Sequence, residues 1–399
     1  MNVIFLTSST SERVFQEICR ESPVLPNPSN QNFYHKVIKA VSFYENVEVV
    51  SHRPFAKGMV LPPVEDGDDD RVPYHYTKIK NNILYKVFDE KREIIHKTMK
   101  ILDSYLHKDC IIVVDVLRRN LLNAALKIKR KERIPVIGVI TDNPLNLSNA
   151  KTQFAESTIK KTAKLDGILA LTDGLLNVYA VKDKPHYIFE GIVEDIPPFK
   201  KEPLGDYFAF AGSLYERYGV KTLIDAFKDH EYKENLVVLG NGPLKNYISD
   251  LSQHNHRILY LSQLSKSKTY AIEQHAIANI NPRPLDPIID SESIPSKMLE
   301  YLASGVPTIS TKHPRLYDLF KNDVYWIEDC SIEGIRKAIS DFMNVSSSEK
   351  NKKALSAKTK VYSMYGSLVQ GEGISHFLNS FKTSKSWLVN FSAVKNSLK

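Results

Sequence analysis

Short apolar runs alternate with segments of helical periodicity along almost the whole chain. This alternation is typical of βαβ units, in which helices connect parallel strands. A polar stretch, DIPPFKKEPLGD at 195–206, interrupts the pattern and indicates a linker. The apolar runs predict strands at 3–7, 47–51, 110–116, 136–141, 167–171 and 187–189, and again at 207–211, 236–239, 258–261, 278–281, 308–310 and 324–327. Helices are predicted between them, among others at 33–43, 79–106, 119–131 and 152–165.

The linker divides the chain into two predicted domains. Residues 1–195 and 206–365 are each expected to form a Rossmann-like, doubly wound α/β domain, and 399 residues suffice for two cores. A C-terminal helix and tail, 366–399, is expected to return to the first domain. Ligands of such sheets bind beyond the carboxyl ends of the strands, so the predicted site is the cleft between the domains.

The composition narrows the class of binding partner but does not identify one. Lys and Arg exceed Asp and Glu by eight, which suits a phosphorylated ligand or an anionic membrane. No nucleic-acid partner is expected, because no recognised motif accompanies the charge. The three cysteines lie far apart and no metal-ligand spacing occurs, so neither a disulfide nor a metal site is expected. No apolar run approaches a membrane span or a signal peptide, which predicts a cytoplasmic protein.

Two charged segments each lead to a separate hypothesis. Segment 118–133 combines clustered Lys and Arg with an apolar side. It is either a surface helix with a solvated basic face or a peripheral contact with the inner face of an anionic membrane. The acidic run EDGDDD at 65–70 fails as a calcium loop, because Arg71 and Thr77 occupy its sixth and twelfth positions. A solvated loop is expected there.

The pattern with most chemical content is ESIPSKMLEYLASGVPTIST at 292–311. A helix is predicted to begin at Pro295, which suits a first helical position. It is predicted to run to Ser304 and to end at Gly305, which suits a left-handed cap.

One stripe of the predicted helix is polar, formed by Ser296, Lys297, Glu300 and Ser304, while the rest of its surface is apolar. The free N–H groups at its N-terminus, together with Lys297, suit a diphosphate. Glu292 and Glu300 bracket that position, where carboxylates would accept hydrogen bonds from hydroxyls of a sugar and a ribose. The alternative is an amphipathic helix with an exposed polar face.

Glu-x7-Glu followed by YLASGVPTIST resembles the donor-binding segment of retaining glycosyltransferases of the GT-B fold, family 4 (glycosyl transferases group 1). The resemblance extends over most of residues 186–330. It includes FEGIVED at 189–195, AGS at 211–213 with Tyr218-Gly219, LVVLGNGP at 236–243, the strand at 257–261 and NINPRP at 279–284.

This resemblance implies an enzyme with an acceptor-side N-terminal domain and a donor-binding C-terminal domain. It implies transfer of a hexosyl group from a nucleoside diphosphate sugar to a lipid-linked or saccharide acceptor, in cell-surface polysaccharide or glycoconjugate assembly, with no cofactor and no metal. The predicted donor-binding residues are Gly212, Ser213, Arg217, Gly240, Asn241, Leu261, Arg283, Pro295, Ser296, Lys297 and Glu300. Glu292 and Asp142 are the predicted catalytic residues.

The chain departs from the family pattern at two places. The Arg and Lys that usually clamp the diphosphate are replaced by Ser213 and Tyr218, so Arg217, Lys297 or Arg283 would supply the charge, although Arg217 also fits an ordinary exposed loop cation. The usual acceptor-side His is absent, and Thr141 or Asp142 takes its place, where an Asp is as often a turn cap. A non-catalytic partner subunit therefore stays open as an alternative function.

Overall fold

The computed structural model of the chain describes residues 1–24, 28–54, 58–69, 71–79, 89–147, 152–228 and 232–382. Every strand predicted above is present in it within two residues at each end. Of the predicted helix at 79–106, the part at 90–104 is helical, and residues 80–88 lie outside the described residues. The predicted tail at 383–399 also lies outside them.

The N-terminal half is built on an eight-stranded sheet in the order β3-β4-β2-β1-β5-β6-β7-β8, parallel except for β3 against β4. Apolar side chains from both faces of its central strands form two cores under flanking helices, as expected for a sheet that is covered on both sides. Its elements are β1 Asn2–Thr7, α1 Glu12–Glu21, α2 Pro28–Ser42, β2 Asn46–Ser51, β3 Gly67–Asp69, β4 Val72–Tyr76, α3 Glu90–Ser104, β5 Cys110–Asp115, α4 Arg119–Glu132, β6 Val136–Ile140, α5 Thr152–Thr162, β7 Gly167–Ala170, α6 Asp173–Val178 and β8 His186–Ile188.

The C-terminal half has a six-stranded parallel sheet in the order β11-β10-β9-β12-β13-β14, again with a core on each face. Its elements are β9 Tyr207–Ala211, a 3-10 turn at Glu216–Tyr218, α7 Val220–Lys228, β10 Asn235–Leu239, α8 Lys245–His254, β11 Ile258–Tyr260, α9 Lys266–His275, β12 Ala278–Asn281, α10 Pro287–Glu292, α11 Ser296–Ser304, β13 Thr308–Thr311, α12 Pro314–Phe320, β14 Tyr325–Ile327, α13 Ile332–Met343, α14 Ser347–Tyr365 and α15 Ser367–Asn379.

The two halves are joined where the chain crosses between them twice. Val193 pairs with Gly366, the Val193 N–H donates to the Tyr365 carbonyl at 2.7 Å, and the Ser367 N–H donates to the Val193 carbonyl at 3.0 Å. After this crossing α15 packs on the N-terminal half, where Phe377 and nearby apolar residues enter the core that contains α2. The crossing keeps the carboxyl ends of the two sheets close enough for side chains to bridge them.

The expectation of a solvated loop at 65–70 is wrong for part of that run. Residues 67–69 form β3, which pairs with β4 in an antiparallel hairpin. Asp69 accepts a hydrogen bond from the Glu12 N–H at 2.6 Å, and Asp66 accepts one from the Tyr76 N–H at 2.8 Å and pairs with Lys97 at 2.9 Å. These acidic side chains have protein partners, which explains why a polar sequence is held as a strand.

The apolar side of the segment at 118–133 is not available to a membrane. Leu121, Leu122 and Ile128 of α4 are buried in the N-terminal core. The basic residues occupy the outer face, where Lys129 pairs with Asp166 at 2.7 Å and the Arg119 guanidinium lies 5.6 Å from the centre of the Phe154 ring. The apolar side of this helix therefore packs inside the protein, and contact of its basic face with an anionic membrane stays a prediction.

Candidate active site

The helix α11 ends at the cap that the sequence predicts and begins one residue later than predicted, at Ser296. Pro295 is the N-cap residue of α11 rather than its first helical residue. Its side chain makes no capping hydrogen bond, so it provides no acceptor for the N–H groups at the helix N-terminus. Gly305 ends it in the left-handed conformation, with φ of 76°. Tyr301 fixes the helix to β9, because its hydroxyl donates to the Ala211 carbonyl at 3.1 Å and accepts from the Ala211 N–H at 2.8 Å.

The polar stripe of α11 divides into three environments. Ser296 is exposed at the first turn. Glu300 is largely buried and lies within an ion-pair network. Ser304 was predicted on the ligand-facing stripe, but it is buried, donates to the Tyr301 carbonyl at 2.6 Å and accepts from the Asn279 amide at 3.3 Å. Ser304 therefore belongs to the packing of the helix against the sheet.

Glu300 contacts two lysines from different halves of the molecule. Lys36 of α2 approaches one carboxylate oxygen at 2.8 Å, and Lys297 approaches the other at 2.7 Å. Burial opposes ionisation, but the positive charges of Lys297 and Lys36 outweigh it and hold the pKa of Glu300 well below its usual range. Glu300 is thus a charged acceptor at neutral pH, beside the first turn of α11.

A second carboxylate, that of Glu273 on α9, lies on the other side of Lys297. It is fully buried, lies 3.5 Å from the Lys297 ammonium, and has no hydrogen-bond partner at either oxygen among the described residues. Burial raises the pKa of Glu273 to about 7, against the attraction of Lys297. The cation predicted to bind a phosphate is therefore shared between two carboxylates.

Glu292 lies at the end of the short helix α10 rather than in the loop expected before α11. Its side chain is buried, with 9% of the residue exposed. The carboxylate accepts hydrogen bonds from the amides of Asn143 at 3.0 Å and Asn146 at 3.1 Å, both in the loop that follows β6 of the N-terminal half. Glu292 therefore spans the cleft, as Glu300 does.

The first loop of the C-terminal half carries an exposed cation. Ser213 and Arg217 are exposed, and the Arg217 guanidinium lies 5.1 Å from the ring centres of both Tyr215 and Tyr218. Arg283 lies 5.9 Å from the Tyr218 ring centre, so the structure brings Arg283 and Arg217 to the same aromatic ring. Arg283 is already bound, since it pairs with Asp290 at 3.5 Å and donates to the Ser293 hydroxyl at 3.1 Å.

Backbone contacts bring the glycine-bearing loops together. Gly240 has φ of +132°, and a Cβ there would lie 1.8 Å from the Gly212 carbonyl oxygen, so only glycine allows the two loops to approach this closely. Asn241 is exposed, and its side chain accepts from the Gly242 N–H at 2.9 Å. Leu261 follows β11 and is half-buried, with its N–H donating to the Val238 carbonyl.

On the N-terminal side Asp142 follows β6. It is exposed, and its carboxylate accepts from the Thr141 hydroxyl at 3.0 Å. The surrounding protein still desolvates it enough to raise the pKa of Asp142 above its usual range. Asp142 is thus exposed to solvent and at the same time partly desolvated by nearby protein atoms. This combination suits a side chain that faces an acceptor.

Sequence reasoning missed the residues that reach this site from the N-terminal half. Asn143 and Asn146 follow Asp142 in the same loop, and that proximity was a usable signal. Lys36 carried none, because it is one of many lysines on predicted helices.

No described group of three or more His, Cys, Asp or Glu side chains is arranged to hold a metal ion. None of the described helices is both long and apolar enough to cross a membrane.

A cavity of about 640 Å³ lies between β4 and α3, and it is lined by none of the predicted site residues.

Residues 194–360 match the family described as "Glycosyl transferases group 1". A search of curated proteins finds no match.

Solved structures resemble the chain over almost its whole length. Sucrose-phosphate synthase from Thermosynechococcus elongatus is 11% identical, with a TM-score of 0.68 over 95% of this chain and 99% of that one. Anabaena Alr3699/HepE in complex with UDP is 12% identical, with a TM-score of 0.61 over 95% and 100%. A trehalose-6-phosphate synthase studied for glycosyl transfer with retention is 10% identical, with a TM-score of 0.64 over 94% and 99%. The shared architecture shows that the chain has the GT-B fold, and its match over residues 194–360 to the glycosyl transferases group 1 model indicates a glycosyltransferase.

Proposed function

We propose that this glycosyltransferase moves a hexosyl group from a nucleoside diphosphate sugar to an acceptor hydroxyl, with retention of configuration at the anomeric carbon. The observation that carries the proposal is α11, whose N-terminus has no side-chain cap and is bracketed by the carboxylates of Glu292 and Glu300. Unpaired N–H groups at a helix N-terminus bind phosphate, and the two carboxylates accept hydroxyl donors on either side of it.

The carboxylates have different roles in this proposal. Glu300 accepts hydrogen bonds from the ribose of the nucleotide, and Glu292 accepts them from hydroxyls of the transferred sugar. Glu292 is held from the N-terminal half by Asn143 and Asn146, which suits a group that must meet the sugar in the cleft. Ser296 and the loops around Gly212, Gly240, Asn241 and Leu261 form the remaining donor surface, whereas Pro295 is buried and positions the start of α11.

Transfer breaks the bond between the anomeric carbon and the diphosphate oxygen, so negative charge builds on the departing diphosphate. The N–H groups of α11 stabilise that charge. Arg217 adds to them, because its guanidinium is exposed and has no ion pair with any described carboxylate. These groups require no metal, and we propose a metal-independent reaction without a cofactor.

The new bond joins the anomeric carbon to the acceptor oxygen, and the hydroxyl proton leaves. Asp142 is the proposed group that orients the hydroxyl or takes the proton, and desolvation raises its pKa, which makes its carboxylate a stronger base than an ordinary aspartate. The proposed acceptor is a lipid-linked or free saccharide in surface polysaccharide or glycoconjugate assembly. Any contact of α4 with an anionic membrane would be electrostatic, and salt would screen it within about 8 Å.

Two neighbours support the donor class and the stereochemistry. HepE is described in complex with UDP, and the trehalose-6-phosphate synthase structure is described in terms of glycosyl transfer with retention. Both share the architecture of this chain, in which a donor site of the same kind fits the cleft between the two sheets.

The test is release of nucleoside diphosphate from UDP-, GDP- and dTDP-sugars, measured with excess chelator and with added magnesium. We expect slow hydrolysis of one donor, equal in the two conditions, and NMR should show the freed sugar in the donor's anomeric configuration. Activity that collapses under chelation and returns with metal would rule out the metal-independent reaction. No release from any donor, together with no transfer to saccharide acceptors, would favour the non-catalytic partner subunit.

A further inference from the structure

The positive charge within the C-terminal half is largely neutralised around α11. In the family that this segment resembles, two cations usually stand where this chain has Ser213 and Tyr218. Arg283 is bound to Asp290 and Ser293, and Lys297 lies between Glu300 and Glu273. A diphosphate carries negative charge that must be balanced in a partly desolvated cleft. Arg217 alone provides less positive charge than a two-cation clamp.

The other half of the molecule supplies a cation at this place. Lys36 lies on α2, and its ammonium is 2.8 Å from Glu300, with 11% of the Lys36 side chain exposed. The position of α2 is fixed from behind by α15, since a Cβ at Gly371 would lie 2.2 Å from the Ala40 carbonyl oxygen. Lys36 is therefore held at the cleft by a packed helix.

Binding of a ribose at Glu300 would change what Lys36 contacts. A ribose hydroxyl that donates to the Glu300 carboxylate competes with an ammonium for the same oxygens. Glu300 lies about one helical turn, roughly 5.4 Å, from the first turn of α11, where the proposed diphosphate binds. A lysine has a flexible four-carbon stem and binds phosphate as a point charge, so a small rotation brings the ammonium from the carboxylate toward the phosphate.

We infer that Lys36 is a donor-binding residue, contributed by the N-terminal half, whose ammonium contacts the diphosphate of the nucleotide sugar in place of the missing clamp cation. The inference rests on the proposed function, since it assumes a nucleoside diphosphate over the N-terminus of α11. It also assigns an N-terminal residue to donor binding, so that the donor is held from both sides of the cleft.

The competing explanation is that Lys36 only orients Glu300. The two explanations differ in which part of the nucleotide would lose affinity. A lysine on the diphosphate affects UDP and not uridine, whereas a lysine that orients Glu300 affects the ribose contact, and therefore both ligands alike.

The experiment compares dissociation constants for UDP, GDP and dTDP, and for their parent nucleosides, in the wild type and in Lys36→Met, Lys36→Arg and Lys39→Met. We expect Lys36→Met to weaken the preferred diphosphate by about ten- to a hundredfold, the effect of one charged hydrogen bond, and to change its nucleoside by less than about threefold. Lys36→Arg should recover part of the loss. Lys39→Met is the matched control on the same helix, because Lys39 lines a small pocket with Asp69 and Tyr74.

Thermal unfolding of each variant, followed by circular dichroism, reports whether the fold is kept, and affinities are compared within the folded fraction. Equal weakening of diphosphate and nucleoside by Lys36→Met would overturn the inference in favour of a positioning role for Glu300. Unchanged affinity for both would overturn it as well. A wild type that binds none of the diphosphates contradicts the proposed function itself, and the inference with it.

Discussion

Glu292 and Glu300 fit one short motif in the sequence, but their surroundings differ. Glu300 interacts with two ammonium groups, and Glu292 with two side-chain amides. The motif allowed both residues to be identified as candidate ligand acceptors. It did not reveal their partners, because Lys36, Asn143 and Asn146 lie more than 140 positions away in the chain. Sequence spacing reports neighbours on one helix, and these contacts depend on how two domains meet.

The different surroundings predict different effects of removing each charge. Glu300→Gln should weaken binding of the nucleoside diphosphate by about ten- to a hundredfold, because it loses a charged acceptor at the ribose. It should also lower the free energy of unfolding, since Lys36 loses its carboxylate partner and Lys297 loses the nearer of its two. Glu292→Gln should leave nucleotide binding nearly intact and reduce turnover, because its contact is strongest during sugar transfer.

Calorimetry with the diphosphate and steady-state kinetics with the donor sugar separate the two effects. Glu349→Gln, at an exposed position on α14, is the matched control for loss of a carboxylate charge. If Glu300→Gln unfolds part of the protein while the folded fraction keeps its nucleotide affinity, the donor-site assignment of Glu300 is wrong.

At the scale of elements, the hydrophobic pattern predicted every parallel strand except β4, because helices cover both faces of each sheet. The prediction failed for elements whose apolar side chains face solvent or whose residues are polar. In α10, Ile288 is 70% exposed while Asp290 and Glu292 face the protein. In β3 the residues are Gly-Asp-Asp, held by hydrogen bonds to other elements. A prediction based on apolar residues lying inside the protein could not identify α10 or β3.

The glycine-bearing loops of the C-terminal half give a prediction at the same scale. Gly240→Ala places a Cβ 1.8 Å from the Gly212 carbonyl oxygen at a φ of +132°, so the loop between β9 and α7 must move. We expect a loss of at least about 1–3 kcal/mol in the free energy of unfolding from backbone strain, with weaker diphosphate binding. Gly67→Ala is the matched control, since its Cβ would meet no atom within 4 Å. Urea denaturation of both variants measures the difference, and equal stability would show that the loops do not need this close approach.

At the scale of the whole molecule, the sequence predicted two α/β domains and a cleft but not the contacts that cross it. The crossings are the pairing of Val193 with Gly366, the hydrogen bonds of Glu292 and the ion pair of Glu300 with Lys36. The contacts of Glu292 and Glu300 join residues of the two halves, and neither periodicity nor motif spacing encodes such pairs. The Lys36–Glu300 pair joins a charged group of the N-terminal half to the network of Glu300, Lys297 and Glu273, whose protonation affects the stability of the molecule.

That network predicts a specific dependence of stability on pH. Burial raises the pKa of Glu273 to about 7, whereas the same group in an unfolded chain titrates near 4.5. Between these values the folded protein holds a proton that the unfolded chain has released, so the contribution of Glu273 to the free energy of unfolding falls as pH rises, by at most about 1.4 kcal/mol per pH unit. The pKa of Glu300 is lowered, so its contribution is present above about 4.5 and is lost only below that pH.

The pH range over which Glu273 affects stability does not overlap with that of Glu300, so Glu273→Gln isolates the contribution of Glu273. The free energy of unfolding of the wild type minus that of Glu273→Gln should decrease by about 1–3 kcal/mol from pH 4.5 to pH 7, and titrations common to both proteins cancel in that difference. Urea denaturation at half-unit steps of pH measures it. A difference that rises with pH would mean that attraction to Lys297 outweighs desolvation, and that Glu273 is charged throughout. In that case Lys297 would be permanently shared by two carboxylates, and the need for a cation from the N-terminal half would be greater still.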